Sequence, residues 1–285
     1  MVETHCTRFR SAPSCPRKTR FPRPFQKESL CSLFVLTFLF SLLWAGGASA
    51  HFQVILPDRN IVAQGESRTI TLDLRFTHPF EGQLMNMASP LRFGVVIRGE
   101  TTDLLGTLTK VEHPGGLLSW KGSFDVTRPG DHIFFVEPEP YWEPAEGKYI
   151  VHLTKTVVNV FGMEEGWDEP AGLRAEILPL TRPYGLWAGN SFTGQVLVEG
   201  KPLAGAEVEV EFLNDDGAVK APADPFVTQV VKTDDRGIFS YTMPWGGWWG
   251  FAALAEAPET KKAPDGTDAP LELGAVLWVR TENRP

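Results

Sequence analysis

From Phe52 onward, apolar and polar positions alternate in short runs separated by Gly, Pro, Asn and Asp, and no long stretch keeps a 3.6-residue apolar period. The pattern predicts an all-β chain. In the first half it gives strands at 52–56, 67–76, 93–97, 104–111, 118–126, 132–136 and 148–155. Ile70, Leu72, Leu74 and Phe76 fall on one face, as a half-buried strand requires. In the second half, 207–212 alternates strictly, with Glu207, Glu209 and Glu211 on one face, read as a solvated sheet face with a cation-binding strip as the alternative. Runs at 227–232 and 238–243 flank Asp234-Asp235-Arg236-Gly237, a hairpin turn with Gly supplying the positive φ. Further strands are expected at 248–254 and 275–280. Between the halves, 159–190 holds Trp167, Trp187, Pro170, Pro179, Pro183 and five glycines, an ordered connector in character. The expected organisation is therefore two β-sandwich domains, at 51–158 and 191–285, joined by that connector.

The first fifty residues follow different rules. Arg8, Arg10, Arg17, Lys18, Arg20, Arg23 and Lys27 precede a nearly unbroken apolar run at 30–43 and the small triplet Ala48-Ser49-Ala50. This predicts a secretory signal cleaved after Ala50. The apolar run is shorter than the ~20 residues of a spanning helix, so no membrane anchor is expected in the mature chain. Removing the leader's seven basic and two acidic residues from totals of 27 and 35 leaves 20 and 33, a formal charge of -13. Such a surface favours cations over phosphates and excludes a nucleic-acid binder. Cys6, Cys15 and Cys31 all lie in the leader, so the mature chain has neither a disulfide nor a thiolate metal site. Hydrolase, P-loop and dinucleotide motifs are missing, which removes the sequence basis for ordinary enzyme chemistry, and the chain is expected not to be an enzyme.

The remaining candidate chemistry is nitrogen and thioether ligation. Cleavage after Ala50 makes His51 the N-terminus, whose α-amine and ring Nδ1 form a chelating pair suited to Ni, Co, Cu or Zn. His78, in Thr77-His78-Pro79-Phe80, sits just past a strand end where a stiff turn can aim it. His152 lies within the strand expected at 148–155, and His132 opens another; Met85 and Met87 are soft donors close to His78. His113, in a Pro-Gly-Gly turn, is the weakest candidate.

Two resemblances add to this. Gly200-Lys201-Pro202-Leu203-Ala204-Gly205-Ala206 and Thr233-Asp234-Asp235-Arg236-Gly237-Ile238-Phe239 resemble the small Ig-like modules related to the carboxypeptidase regulatory domain, which speaks to fold alone. His51-Phe52-Gln53-Val54, Thr77-His78-Pro79-Phe80-Glu81-Gly82, the Pro-rich 137–144 with Tyr141-Trp142-Glu143, Val151-His152-Leu153-Thr154-Lys155 and the Trp-rich 247–254 together look like the DUF4198 family. The resemblance implies a periplasmic protein that binds Ni(II) or Co(II) beside the membrane components of an energy-coupling-factor type transporter. It also implies His51, His78 and His152 as ligands, with Glu143 as an oxygen donor or its partner. Two alternatives compete: a secreted copper oxidase using His51 in a histidine brace with Cu(II), and a metal-free module binding envelope glycans or proteins through Tyr141, Trp142, Trp167 and 245–249.

Overall fold

The computed structural model describes residues 51–285. The expected leader and its expected cleavage site lie outside the described residues. In chain order the strands are β1 (Phe52–Pro57), β2 (Ile61–Val62), β3 (Thr69–His78), β4 (Gln83–Met85), β5 (Arg92–Ile97), β6 (Glu100–Asp103), β7 (Thr109–Glu112), β8 (Leu118–Asp125), β9 (Gly130–Glu137), β10 (Tyr141–Glu143) and β11 (Lys148–Val160). There follow β12 (Ala175–Pro179), β13 (Leu186–Trp187), β14 (Ser191–Val198), β15 (Lys201–Pro202), β16 (Glu207–Phe212), β17 (Gln229–Lys232), β18 (Ile238–Thr242), β19 (Gly247–Lys262) and β20 (Asp268–Glu282).

These strands form three sheets. The largest runs β17-β16-β19-β20-β11-β9-β5-β6, with β2, β10 and β13 as short additions. A second runs β1-β3-β8-β7 with β4 on β3, and a third runs β12-β14-β15 with β18 on β14. Side-chain alternation in the large sheet shows why both others pack on it. In β11, Val151, Leu153 and Val157 enter one core while Val158 and Val160 enter another. In β9, Ile133 and Phe135 separate from Phe134 and Val136 in the same way. In β20, Leu273, Ala275, Leu277 and Val279 separate from Val276 and Trp278. Strands buried on both faces are continuous hydrophobic runs, which is the character of Ile133-Phe134-Phe135-Val136. The β1-β3-β8-β7 sheet closes one core with Phe52, Val54, Ile70, Leu72 and Leu74; the β12-β14-β15 sheet closes the other with Ile177, Phe192 and Val196.

The all-β sandwich class is thus as expected, and the two sandwiches share one layer. Strands from before and after 159–190 pair within the same sheet, and the described residues 51–285 belong to one compact unit. The connector itself supplies the end of β11, β12 and β13; Trp167 packs against the second core and Trp187 is exposed.

Three local differences from the sequence pattern have physical causes. The run 104–111 breaks at Leu104, whose buried side chain anchors a single 3-10 turn at Leu105–Thr107, so β7 starts at Thr109. Strand β19 runs well past its apolar run because β20 pairs with it as far as Lys262, while β11 and β20 are longer than expected because Val157, Val158 and Val160 in the one and Ala269, Leu271 and Leu273 in the other are buried as well. Glu211 is not solvated at all: its side chain is fully buried, accepting from the Thr228 hydroxyl and the Phe80 N–H, and burial pushes its pKa up to about 8. Its neighbour Glu209 is raised to about 7, again chiefly by burial, while Glu207 stays exposed beside Lys232. The turn at Gly237 is as expected, with φ of 75° and a Cβ-free face 2.9 Å from the Leu203 and Val196 backbones. A buried ion pair was also unmarked in the sequence. Lys155 meets Glu176 at 2.5 Å inside the core, and Glu176 also accepts from the Ala171 and Gly172 N–H groups.

Candidate functional site

Strand β1 pairs antiparallel with β3, Phe52 opposite Thr77. One step further along this register, His51 stands opposite His78, and the two rings lie 4.5 Å apart at 50°. The strand carrying His51 is fixed from behind. The Gln53 carbonyl accepts from Trp278 Nε1 at 3.0 Å and from the Thr154 hydroxyl at 3.3 Å, both on the central sheet. Glu143 reaches the pair from the β10–β11 hairpin, its Oε2 3.4 Å from His51 Nε2. The other oxygen of Glu143 accepts the Ala145 N–H, which fixes the carboxylate plane. Phe76 and Tyr141 flank His51 at 5.8 and 5.9 Å between ring centres. Burial first, then the adjacent His78, hold the His51 imidazole below its ordinary pKa against the pull of Glu143 and Glu146. A neutral imidazole at neutral pH is the ligating form.

The turn carrying His78 is clamped by the other half of the chain. The Gly82 N–H closes it onto the His78 carbonyl at 2.9 Å. Asn214 donates its backbone N–H to Pro79 and its side-chain amide to Phe80, each at 3.0 Å, and Glu211 receives the Phe80 N–H. Asn214 and Glu211 therefore position His78. Neither carries a sequence signal for this: Glu211 continues a polar strand face, and Asn214 lies beyond the strand end.

The structure brings together His51, His78 and Glu143 and places His152 close by. His152 is nearly fully buried on β11, and its ring touches Phe76, the ring that also faces His51. Burial, followed by His51 and Lys148, lowers its pKa to about 3. The other candidates stand elsewhere. His132 is a core residue against Phe124 and Phe134, with Nδ1 on the Gly130 carbonyl and a pKa lowered by burial to about 4. It pairs with Val158, six positions from His152 along β11, which is roughly 20 Å of strand. Met85 packs against the first core opposite Phe76. Met87 is buried with its sulfur accepting from Gln53 Nε2 at 3.4 Å. His113 bonds Ser119 at 2.8 Å. Of the aromatic platform, Trp249 is a core residue, and Tyr141 and Trp142 line a cavity.

Among the described residues, no three His, Cys, Asp or Glu side chains are arranged to hold a metal ion as they stand. His51 contributes an amide nitrogen here; cutting the 50–51 bond converts it to an amine. With that amine the candidate donors would be the His51 amine and Nδ1 and the His78 imidazole, a set that would suit a borderline divalent ion, and Glu143, which faces Nε2 of His51, would orient that ring.

Fold and site define an all-β protein of packed β-sheets with a histidine pair and a carboxylate at one sheet end. The chain belongs to the DUF4198 family, a domain of unknown function whose model matches residues 48–257. No curated protein matches it by sequence. Among solved structures it is similar to dimeric latent PorU from Porphyromonas gingivalis, at 13% identity over 79% of this chain and 20% of that one, TM-score 0.24. It is also similar to the adhesin InvE from Yersinia pseudotuberculosis, at 16% identity over 81% of this chain and 61% of that one, TM-score 0.21. A marsupial T cell receptor matches at 9% identity over 81% of this chain and 72% of that one, TM-score 0.23. The chain thus spans about a fifth of PorU's length and under two thirds of InvE's.

Proposed function

We propose that this protein is a periplasmic metal-binding accessory of a nickel or cobalt uptake system, taking Ni(II) or Co(II) as cargo and working beside the transporter's membrane components. The observation that supports it is the cross-strand opposition of His51 and His78, with Glu143 within 3.4 Å of the first. The proposed donors are the α-amine and Nδ1 of His51 and the ring of His78, with the Glu143 carboxylate on Nε2 of His51 holding that ring in place. His51 and Glu143 are largely shielded from solvent, so a bound ion exchanges much of its hydration shell for protein donors. The role is binding and hand-over, with no bond made or broken in a substrate.

Mass spectrometry of the exported chain tests the chemistry at its root, because the chelate needs His51 as the first residue. Isothermal titration of that chain with Ni(II), Co(II), Cu(II) and Zn(II) should then show submillimolar binding that His51→Ala and His78→Ala each abolish. Binding that is indifferent to both substitutions overturns the assignment. The copper oxidase remains the rival reading because the same two histidines, with Tyr141 beside them, would serve copper equally well. Peroxide formation by the copper-loaded protein with a reductant would select it.

A further inference from the structure

Behind the Phe76 ring lies a cavity of about 290 Å³. Its walls are mostly apolar and aromatic: Phe76, Met87, Pro140, Tyr141, Trp142 and Ile150. Gln53, Asn86 and Glu139 also line it, and the buried polar side chain in this wall with an unmet atom is His152, only 4% exposed, whose Nδ1 has no hydrogen-bonding partner. The backbone explains how the ring is held. His152 pairs with Gly274 on β20, and a Cβ at that glycine would lie 2.3 Å from His152 Cδ2 and 2.8 Å from Nε2. The Cδ2–Nε2 edge therefore rests on bare backbone, which turns the opposite, Nδ1 edge away from β20. Phe52 and Phe76 meet the ring edge-on at 6.3 Å each and fix its plane.

A buried polar atom without a partner costs stability, commonly ~1–3 kcal/mol. A structure that keeps one on the wall of an aromatic cavity has the layout of a small-molecule site, in which apolar walls carry affinity and a placed polar group carries orientation. The volume is at the lower limit of the ~300–1,000 Å³ usual for such sites, which selects a small ligand. We infer that this cavity is a binding site for a small aromatic molecule carrying one hydroxyl or N–H group, its ring between Phe76, Tyr141 and Trp142 and its polar group on His152 Nδ1. The site is separate from the proposed metal donors and does not depend on them, although Phe76 and Tyr141 border both.

The test uses phenol and benzene as probes on the mature protein in EDTA, read by saturation-transfer NMR. Both probes should saturate, phenol more tightly. His152→Phe should weaken phenol about three- to tenfold, the range of one net hydrogen bond, and leave benzene within twofold. Trp142→Ala, a half-buried wall position whose loss leaves the core intact, should weaken both probes several-fold. Failure of both probes to saturate in the wild-type protein overturns the inference, as does a phenol affinity that neither substitution changes. Because metal is absent throughout, these outcomes are independent of the nickel and cobalt titrations.

Discussion

Replacing Glu211 with Gln should remove a pH dependence of stability that the wild-type protein carries. Burial raises the Glu211 pKa to about 8 in the folded state, against 4.5 for an ordinary glutamate carboxyl. Below pH 4.5 both folded and unfolded chains hold the proton. Between 4.5 and about 8 only the folded chain does, so stability falls by about 1.4 kcal/mol for each unit of rising pH. Across the window the loss is on the order of 5 kcal/mol, fully incurred above pH 8. Gln mimics the protonated acid: its carbonyl can accept the Phe80 N–H and its amide can donate to the Thr228 hydroxyl. Urea unfolding followed by tryptophan fluorescence at pH 5, 6, 7 and 8 should show near-equal stabilities at pH 5 and a variant several kcal/mol more stable at pH 8. Other titrating groups, Glu209 among them, are present in both proteins and largely cancel in the difference. A difference that stays flat over this range, or that slopes the other way, refutes the buried-acid assignment.

On the acid side the histidines act in the opposite direction. His132 and His152 are held neutral by burial, with pKa values lowered to about 4 and about 3, so the stability they support is present above pH 6.5 and lost as pH falls. The wild-type protein should therefore lose up to about 2.7 kcal/mol per unit between pH 6 and 4, and His132→Phe should halve that slope in acid titrations followed by circular dichroism. Lys155→Met alone leaves Glu176 charged in the core and should cost about 3–5 kcal/mol in urea unfolding, whereas Lys155→Met with Glu176→Gln should recover most of it. Asn214→Ala removes the amide that holds Phe80 and Val219 and should weaken Ni(II) binding in calorimetry while all proposed donors remain. One extra residue retained ahead of His51 should abolish tight binding, since the α-amine then leaves the chelate.

Much of the fold was legible because period-two alternation is enforced wherever one sheet face is wet: Ile70, Leu72, Leu74 and Phe76 are buried as expected. The shared central sheet was not legible. Its strands are apolar on both faces, and a run such as Ile133-Phe134-Phe135-Val136 does not say that its two faces serve different cores. One strand end was equally hidden, since β19 continues through exposed polar residues on pairing alone. Glu211 shows the limit of reading polarity as exposure: its alternation with Val208 and Val210 is faithful, yet the 78–83 turn covers its end of the strand.

At the site, the histidines could be named from the sequence but not sorted. What sorts them is register and reach. His51 and His78 meet because Phe52 pairs with Thr77, and a slip of one residue would send one of the two rings to the other face of the sheet. His132 and His152 point into the same first core from β9 and β11, but six strand positions separate their levels, and distance along β11 removes His132 from the pair. The register is in turn held by Trp278, which bonds the Gln53 carbonyl from the last strand of the chain. The geometry around the proposed N-terminal chelate therefore depends on residues more than two hundred positions away. Shortening the chain before β20 should disorder His51 even though every proposed ligand would remain.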